Sequence, residues 1–299
     1  MSSAHIANTP FDDPGADFIL RTSDGVDFRV FRAVLSLASP VFKDMLSLPQ
    51  PTLPSTPETP VVTISENSAV LEPLLLFFYP AVPPTIESLE DVRIMLLTAT
   101  KYDFEAAIQE VSTQLVSPRF LETNPIGVYC VACHCGLEAE AKAAALQALN
   151  IPSLGRPVVE VDELALINIP TYHRLLRYHF KCGEVAAGVS NKDNWSLVGM
   201  AVCRLPFCDC ADVIDDEGVP SRLLPIFDVL PNIADELRRR PSPATAAQSV
   251  HLKDAVEKLR GCNTCSREIE NGTTLRELVD GIGSLVRDEV EKVPLEFKD

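Results

Sequence analysis

ADFILRTSDGVDFRVFRAVLSLASPVFKDMLSLPQ, residues 16–50, decides how the first part of this chain folds. From Asp17 to Arg21 apolar and polar residues alternate, the period of a half-buried strand. Ser23-Asp24-Gly25 is a turn signal, and Val26 to Phe31 alternates again. The two runs therefore read as a β-hairpin. Arg32 opens a helical pattern with Val34, Leu35 and Ala38 on one face. Ser39-Pro40 ends it, because the residue before a proline avoids the α region. Pro40 suits the first turn of a second helix, PVFKDMLSL, where its missing N–H would have no partner anyway.

Outward from this core, Met1 to Asp13 is short and polar and is expected to be a disordered tail. Downstream, Pro49 to Pro60 holds five prolines in twelve positions. It is expected to be an exposed, stiff polyproline-type loop, since so many prolines exclude a helix or a central strand. Val61 to Ile64 reads as a short strand and Ser65 to Phe78 as an apolar helix. Two further helices are expected over Leu89–Ala99 and Tyr102–Val116. Their apolar stripe of Leu96, Leu97, Phe104, Ile108, Val111 and Leu115 is assigned to core.

Strand, hairpin, strand and two short helices split by Ser-Pro resemble the opening of a BTB/POZ domain. Asp17 sits where that family places an acid at the head of its first strand. Phe31-Arg32-Ala33-Val34-Leu35 with Ser39-Pro40-Val41-Phe42 resembles the family's "HR-x-L…SP-x-F" signature, and Lys101-Tyr102 resembles its "A-x-KY" junction. Phe31 stands where most members have histidine. The version with LSLASPVFKDML and a following proline-rich loop is similar to the expanded BTB family of mushroom-forming (basidiomycete) fungi. The proline-rich loop reads as a family-specific insertion, with a docking motif for a proline-reading domain as the alternative. The resemblance also implies homodimerisation through the hairpin strand and first helix, with Phe18, Leu20, Val34, Leu35, Phe42 and Met45 as interface candidates, some of which must be monomer core.

Beyond the BTB-like unit the sequence reads as helical. Pro125 to Leu149 is expected to be one long helix, capped by Asn124 and driven by the alanine-rich EAEAKAAALQAL. Residues 152–157 read as a linker. Short helices follow over Asp162–Asn168 and Pro170–Ala187, then over the part of Leu223–Arg240 beyond Pro231, Ala244–Arg260 and Cys262–Glu291. The expected organisation is a tail at 1–13, an α+β BTB/POZ-like domain at 14–120, a helical extension at 121–180 and a cysteine-containing helical module at 181–299. The fold class is thus a small sheet with a helical cluster, followed by an all-α C-terminal region.

A net charge of −16 disfavours direct nucleic-acid binding and an anionic membrane surface, since both need basic residues to displace counterions. No secretory signal is read at the start of the chain, and nine cysteines, an odd number, fit a disulfide framework poorly. An intracellular chain, cytoplasmic or nuclear, with reduced thiols is expected.

Two cysteine clusters have metal-like spacing. Cys208-x-Cys210 and Cys262-x-x-Cys265 supply four thiols in two pairs, the ligand set of a structural Zn²⁺, with Cys182 or Cys203 as replacements. Unligated reduced thiols are the alternative, so zinc is a candidate rather than a certain cofactor. Cys130, Cys133, His134 and Cys135 are expected on a helix, where successive positions point about 100° apart and cannot converge on one ion. His173 and His179 are expected to be partly exposed or capped on one helix.

With no nucleophile elbow, phosphate loop or zinc-protease motif in the sequence, the expected function is non-enzymatic. It is a protein–protein interaction scaffold that dimerises through its BTB unit and presents the helical region to an unidentified protein partner. The alternatives are a substrate adaptor of a cullin-type ubiquitin ligase and a recruiting transcription or chromatin regulator without direct DNA binding. The adaptor's hydrophobic-x-Glu motif matches poorly, because the corresponding loop has only Glu58.

Overall fold

Alternation fixes the sheet. Phe18–Arg21 (β2) and Val26–Val30 (β3) pair antiparallel, with Phe18 opposite Val30 and Leu20 opposite Phe28. These four side chains are fully buried, so one face of the hairpin is core. The turn between the strands closes at Gly25, whose φ of 82° favours a residue without a Cβ. The computed structural model describes residues 5–48, 59–82, 84–156, 160–190, 230–259 and 273–297.

Two short strands complete a mixed sheet of order β1-β3-β2-β4. Val61–Thr63 (β4) runs parallel to β2. His5–Ile6 (β1), inside the stretch expected to be a disordered tail, runs parallel to β3, and residues 1–4 of that stretch lie outside the described residues. The segment is tied down further along: the Arg29 N–H donates to the Phe11 carbonyl at 2.9 Å. The Phe11 ring is fully buried, 5.4 Å from Phe28 and 5.0 Å from Tyr79. A polar composition hid one aromatic anchor worth about 2 kcal/mol of burial.

Arg32–Ala38 (α1) and Pro40–Ser47 (α2) follow β3, split at Ser39-Pro40 as the sequence predicts. Ser68–Leu76 (α3), Leu89–Lys101 (α4), Glu105–Leu115 (α5) and Pro118–Leu121 (α6) follow β4. Phe42 stacks on Tyr102 and Phe104, with centroids 5.0 and 5.7 Å away, and so joins α2 to the α4–α5 junction.

The expected long helix over Pro125–Leu149 is two helices, Pro125–Cys135 (α7) and Glu138–Ala148 (α8). Asn124 caps the first as expected, accepting from the Gly127 N–H at 2.9 Å. Gly136 ends it in the left-handed conformation, φ 76°, and its N–H returns to α7 carbonyls.

The chain divides into two compact units, Met1–Glu140 and Ala141–Asp299. Residue 180 lies inside Ile169–Val189 (α9), a continuous helix of 21 residues. A 3₁₀ turn at Asp162–Leu166 precedes it. Leu230–Arg239 (α10), Ala244–Gln248 (α11), Val250–Leu259 (α12) and Thr273–Glu291 (α13) complete the second unit as described. Helices α10 and α13 both pack on α9. The expected single helix over Ala244–Arg260 is thus broken at Ser249, whose φ and ψ are extended. Among the described residues no helix is long and apolar enough to cross a membrane.

Candidate interaction surface

Helix α1 is the part of the first unit that the signature residues position. Its N-cap residue, Phe31, makes no side-chain cap. Distant groups replace it. The Asp17 carboxylate accepts from the Arg32 N–H at 2.8 Å, and the Tyr79 hydroxyl accepts from the Phe31 N–H at 3.1 Å. An acid at a helix start also meets the positive end of the helix dipole. The Arg32 guanidinium lies 5.6 Å from the Phe18 ring and donates to the Leu46 carbonyl at 3.1 Å, which clamps the α1–α2 corner onto the sheet. Phe31 therefore contributes to this helix start through its backbone N–H.

Ser39 holds the other end. Its hydroxyl accepts from the Phe42 N–H at 3.0 Å, capping α2, and donates to the Tyr102 carbonyl at 2.5 Å. At the same junction the Tyr102 hydroxyl and the Lys101 ammonium both donate to the Glu66 carboxylate at 2.5 Å. Burial raises the Glu66 pKa, but these two donors outweigh it and hold the carboxyl below its usual range. Among the side chains here, the Glu66 partner of the Lys101-Tyr102 junction gave no signal in the sequence, since it lies 35 positions away.

The six interface candidates divide. Phe18, Leu20, Leu35 and Phe42 are buried in the single chain's core. A side chain with no exposed surface offers a second copy nothing further to bury, and exposing one costs about 2 kcal/mol. Val34 and Met45 are half-buried. The apolar residues left in water on the same two helices are Leu37, 89% exposed, and Val41, 41% exposed, with Leu48 following at 64%. The sequence placed Val34, Leu35 and Ala38 on one face of α1 but did not flag Leu37, whose exposure depends on how α1 lies against the sheet.

Val34, Leu37 and Ala38 line one side of a groove of about 580 Å³, and Phe78 and Ala106 line the other. Glu105 and Gln109 supply its polar rim. An apolar floor with a polar rim is the chemistry of a protein contact.

The cysteine sites resolve differently. Cys208, Cys210, Cys262 and Cys265, with Cys203, lie outside the described residues. Cys130, Cys133, His134 and Cys135 all lie on α7, where Cys130 is buried and the Cys135 thiol is pushed up to about 11 by burial. Cys182 is buried in α9, and burial pushes its thiol up to about 11 as well. Both are neutral thiols near pH 7, not nucleophilic thiolates. Among the described residues no group of three or more His, Cys, Asp or Glu could hold a metal ion. His173 is exposed, but His179 is buried, 3.2 Å from the Ile151 carbonyl, and its desolvation lowers its pKa. That departs from the partly exposed histidine expected there.

Residues 11–118 match the BTB/POZ domain family. The chain thus carries a BTB/POZ domain, a protein-interaction domain, in its first unit, followed by a helical region. No match to the chain was found among curated proteins.

Proposed function

Starting from a BTB/POZ domain at residues 11–118, we propose that this chain is a non-enzymatic, intracellular scaffold. It dimerises through the face built by α1 and α2 and presents its helical second unit to a protein partner. The proposal keeps the dimer expected from the sequence and moves its contacts. Leu37 and Val41, with the half-buried Val34 and Met45, replace the four core residues. The observation that carries this is Leu37. A leucine 89% in water beside a groove floored by Ala38 and Phe78 gains about 2 kcal/mol per copy when covered. The signature LSLASPVFKDML and the proline-rich loop keep the chain, on our reading, beside the BTB proteins of mushroom-forming fungi.

Light scattering on the full chain at micromolar concentration tests the dimer. The expected mass is twice 32.7 kDa. Leu37→Asp should return the chain to its monomer mass with an unchanged far-UV spectrum, because Leu37 has no role in the core. A native chain that stays at 32.7 kDa, or a Leu37→Asp dimer as tight as the native one, would remove this reading.

A further inference from the structure

One helix of the second unit runs against the chain's charge. In a protein of net charge −16, α9 carries three cations, Arg174, Arg177 and Lys181, against one carboxylate, Glu184. The spacing i, i+3, i+7 puts the three cations on one helix face. Residues 294–297 lie beside that face in no helix or strand. The Glu296 carboxylate accepts from Arg177 with one oxygen, and its other oxygen lies 3.7 Å from the Lys181 ammonium.

Next to this carboxylate site is an apolar groove of about 430 Å³. Phe180, Val185, Val293 and Pro294 give it its apolar surface, and Lys181 and Lys292 with Glu184 and Glu289 also line it. Phe180 is 66% exposed, a large ring left in water at the mouth of the groove. Cationic and apolar subsites therefore adjoin on a single helix, and one short segment of the chain already touches both.

We infer that this face of α9 is a docking site for an acidic peptide segment flanked by apolar residues, and that residues 294–297 occupy it in cis. Pro294-Leu295-Glu296-Phe297 shows the chemistry of the occupant: one carboxylate for Arg177 and Lys181, with Pro294 beside it against the Phe180 groove. The cis contact is built to yield. Arg177, Lys181 and Glu296 are each nearly half exposed, so solvent screens the ion pairs and they hold weakly. The tether gives the segment a high local concentration, so a partner must compete with it rather than fill an empty site. This deepens the proposal that the second unit faces a partner, and it does not involve the BTB dimer.

The test is fluorescence anisotropy with a labelled peptide carrying the sequence of residues 293–298, added to the full chain. The Glu296→Gln chain, whose cis carboxylate is gone, should bind the peptide severalfold more tightly than the native chain. Adding Arg177→Glu and Lys181→Glu should abolish that gain, as should a glutamine in place of the peptide's glutamate. A composition-matched peptide in reversed order should bind weakly. Equal affinity of the native and Glu296→Gln chains would overturn the inference, and so would binding that survives the double charge reversal or matches the reversed peptide. A Glu296→Gln chain that gains mass without taking up peptide would assign the face to a second copy and overturn it too. None of these results depends on Leu37, so failure here is separable from failure of the dimer.

Discussion

At the scale of single residues, Ser39 joins two parts of the first unit through one side chain. One hydroxyl caps α2 through the Phe42 N–H and ties α2 to the Tyr102 carbonyl at the end of α4. Ser39 is fully buried, so its loss leaves a buried carbonyl without that donor and a helix start without its acceptor. A helix cap is worth about 1 kcal/mol, and an unsatisfied buried polar group costs a similar amount or more. Ser39→Ala should therefore lower unfolding stability by about 2 kcal/mol, read as a shift of the urea midpoint at constant slope. Ser39→Thr, which keeps the hydroxyl, should recover part of the loss. If alanine and threonine behave alike, packing rather than hydrogen bonding decides this position.

At the scale of elements, the crossing of α9 and α10 turns on Gly183. A Cβ there would stand 2.6 Å from the Arg238 carbonyl oxygen, which belongs to backbone and cannot rotate away. Alanine normally favours a helix over glycine by about 1 kcal/mol. Separating the two helices costs about 1–3 kcal/mol, as overpacking does. Gly183→Ala should thus be net destabilising, whereas Gly188→Ala on the same helix, with open space around it, should raise the melting temperature. Opposite signs from two identical substitutions in one helix would show that contact, not propensity, governs Gly183. The same contrast explains what the sequence could tell. The β2–β3 hairpin and the α1–α2 break were legible because period-two alternation and Ser39-Pro40 are local signals. Strand β1 was not, because its partner is the edge of β3 and nothing in its own residues announces that pairing. The long alanine-rich helix was overread because propensity summed along α7 and α8 outweighed one cap glycine, Gly136. Phe18, Leu20, Leu35 and Phe42 could not be sorted into core or interface, because a core position and a contact position have the same composition. Only the sheet's position separates them.

At the scale of the whole molecule, an acidic chain of net charge −16 is steadied by particular carboxylates. Asp24 accepts from both the hydroxyl and the N–H of Ser68, 44 positions on, and so holds the hairpin turn to the start of α3. The Ser68 hydroxyl, with help from Thr22, brings its pKa down to about 2. Glu66 is likewise held below its usual range once Lys101 and Tyr102 outweigh its burial. A carboxyl that binds its proton less readily when folded adds stability only while it is ionised. That contribution is complete above the unfolded carboxylate range, near pH 4, and is lost as the pH falls through the folded value, about 2 for Asp24. Stability from these two groups should be level between pH 7 and about pH 5 and should fall below about pH 4. Asp24→Asn isolates one of them. Urea titrations of the native chain and this variant should differ most at pH 7 and converge towards pH 2, because acid then removes from the native protein what the substitution has already removed. A gap that stays constant down to pH 2 would mean that the Asp24 contacts with Ser68 act through geometry alone, and that the charge contributes nothing to joining the hairpin to α3.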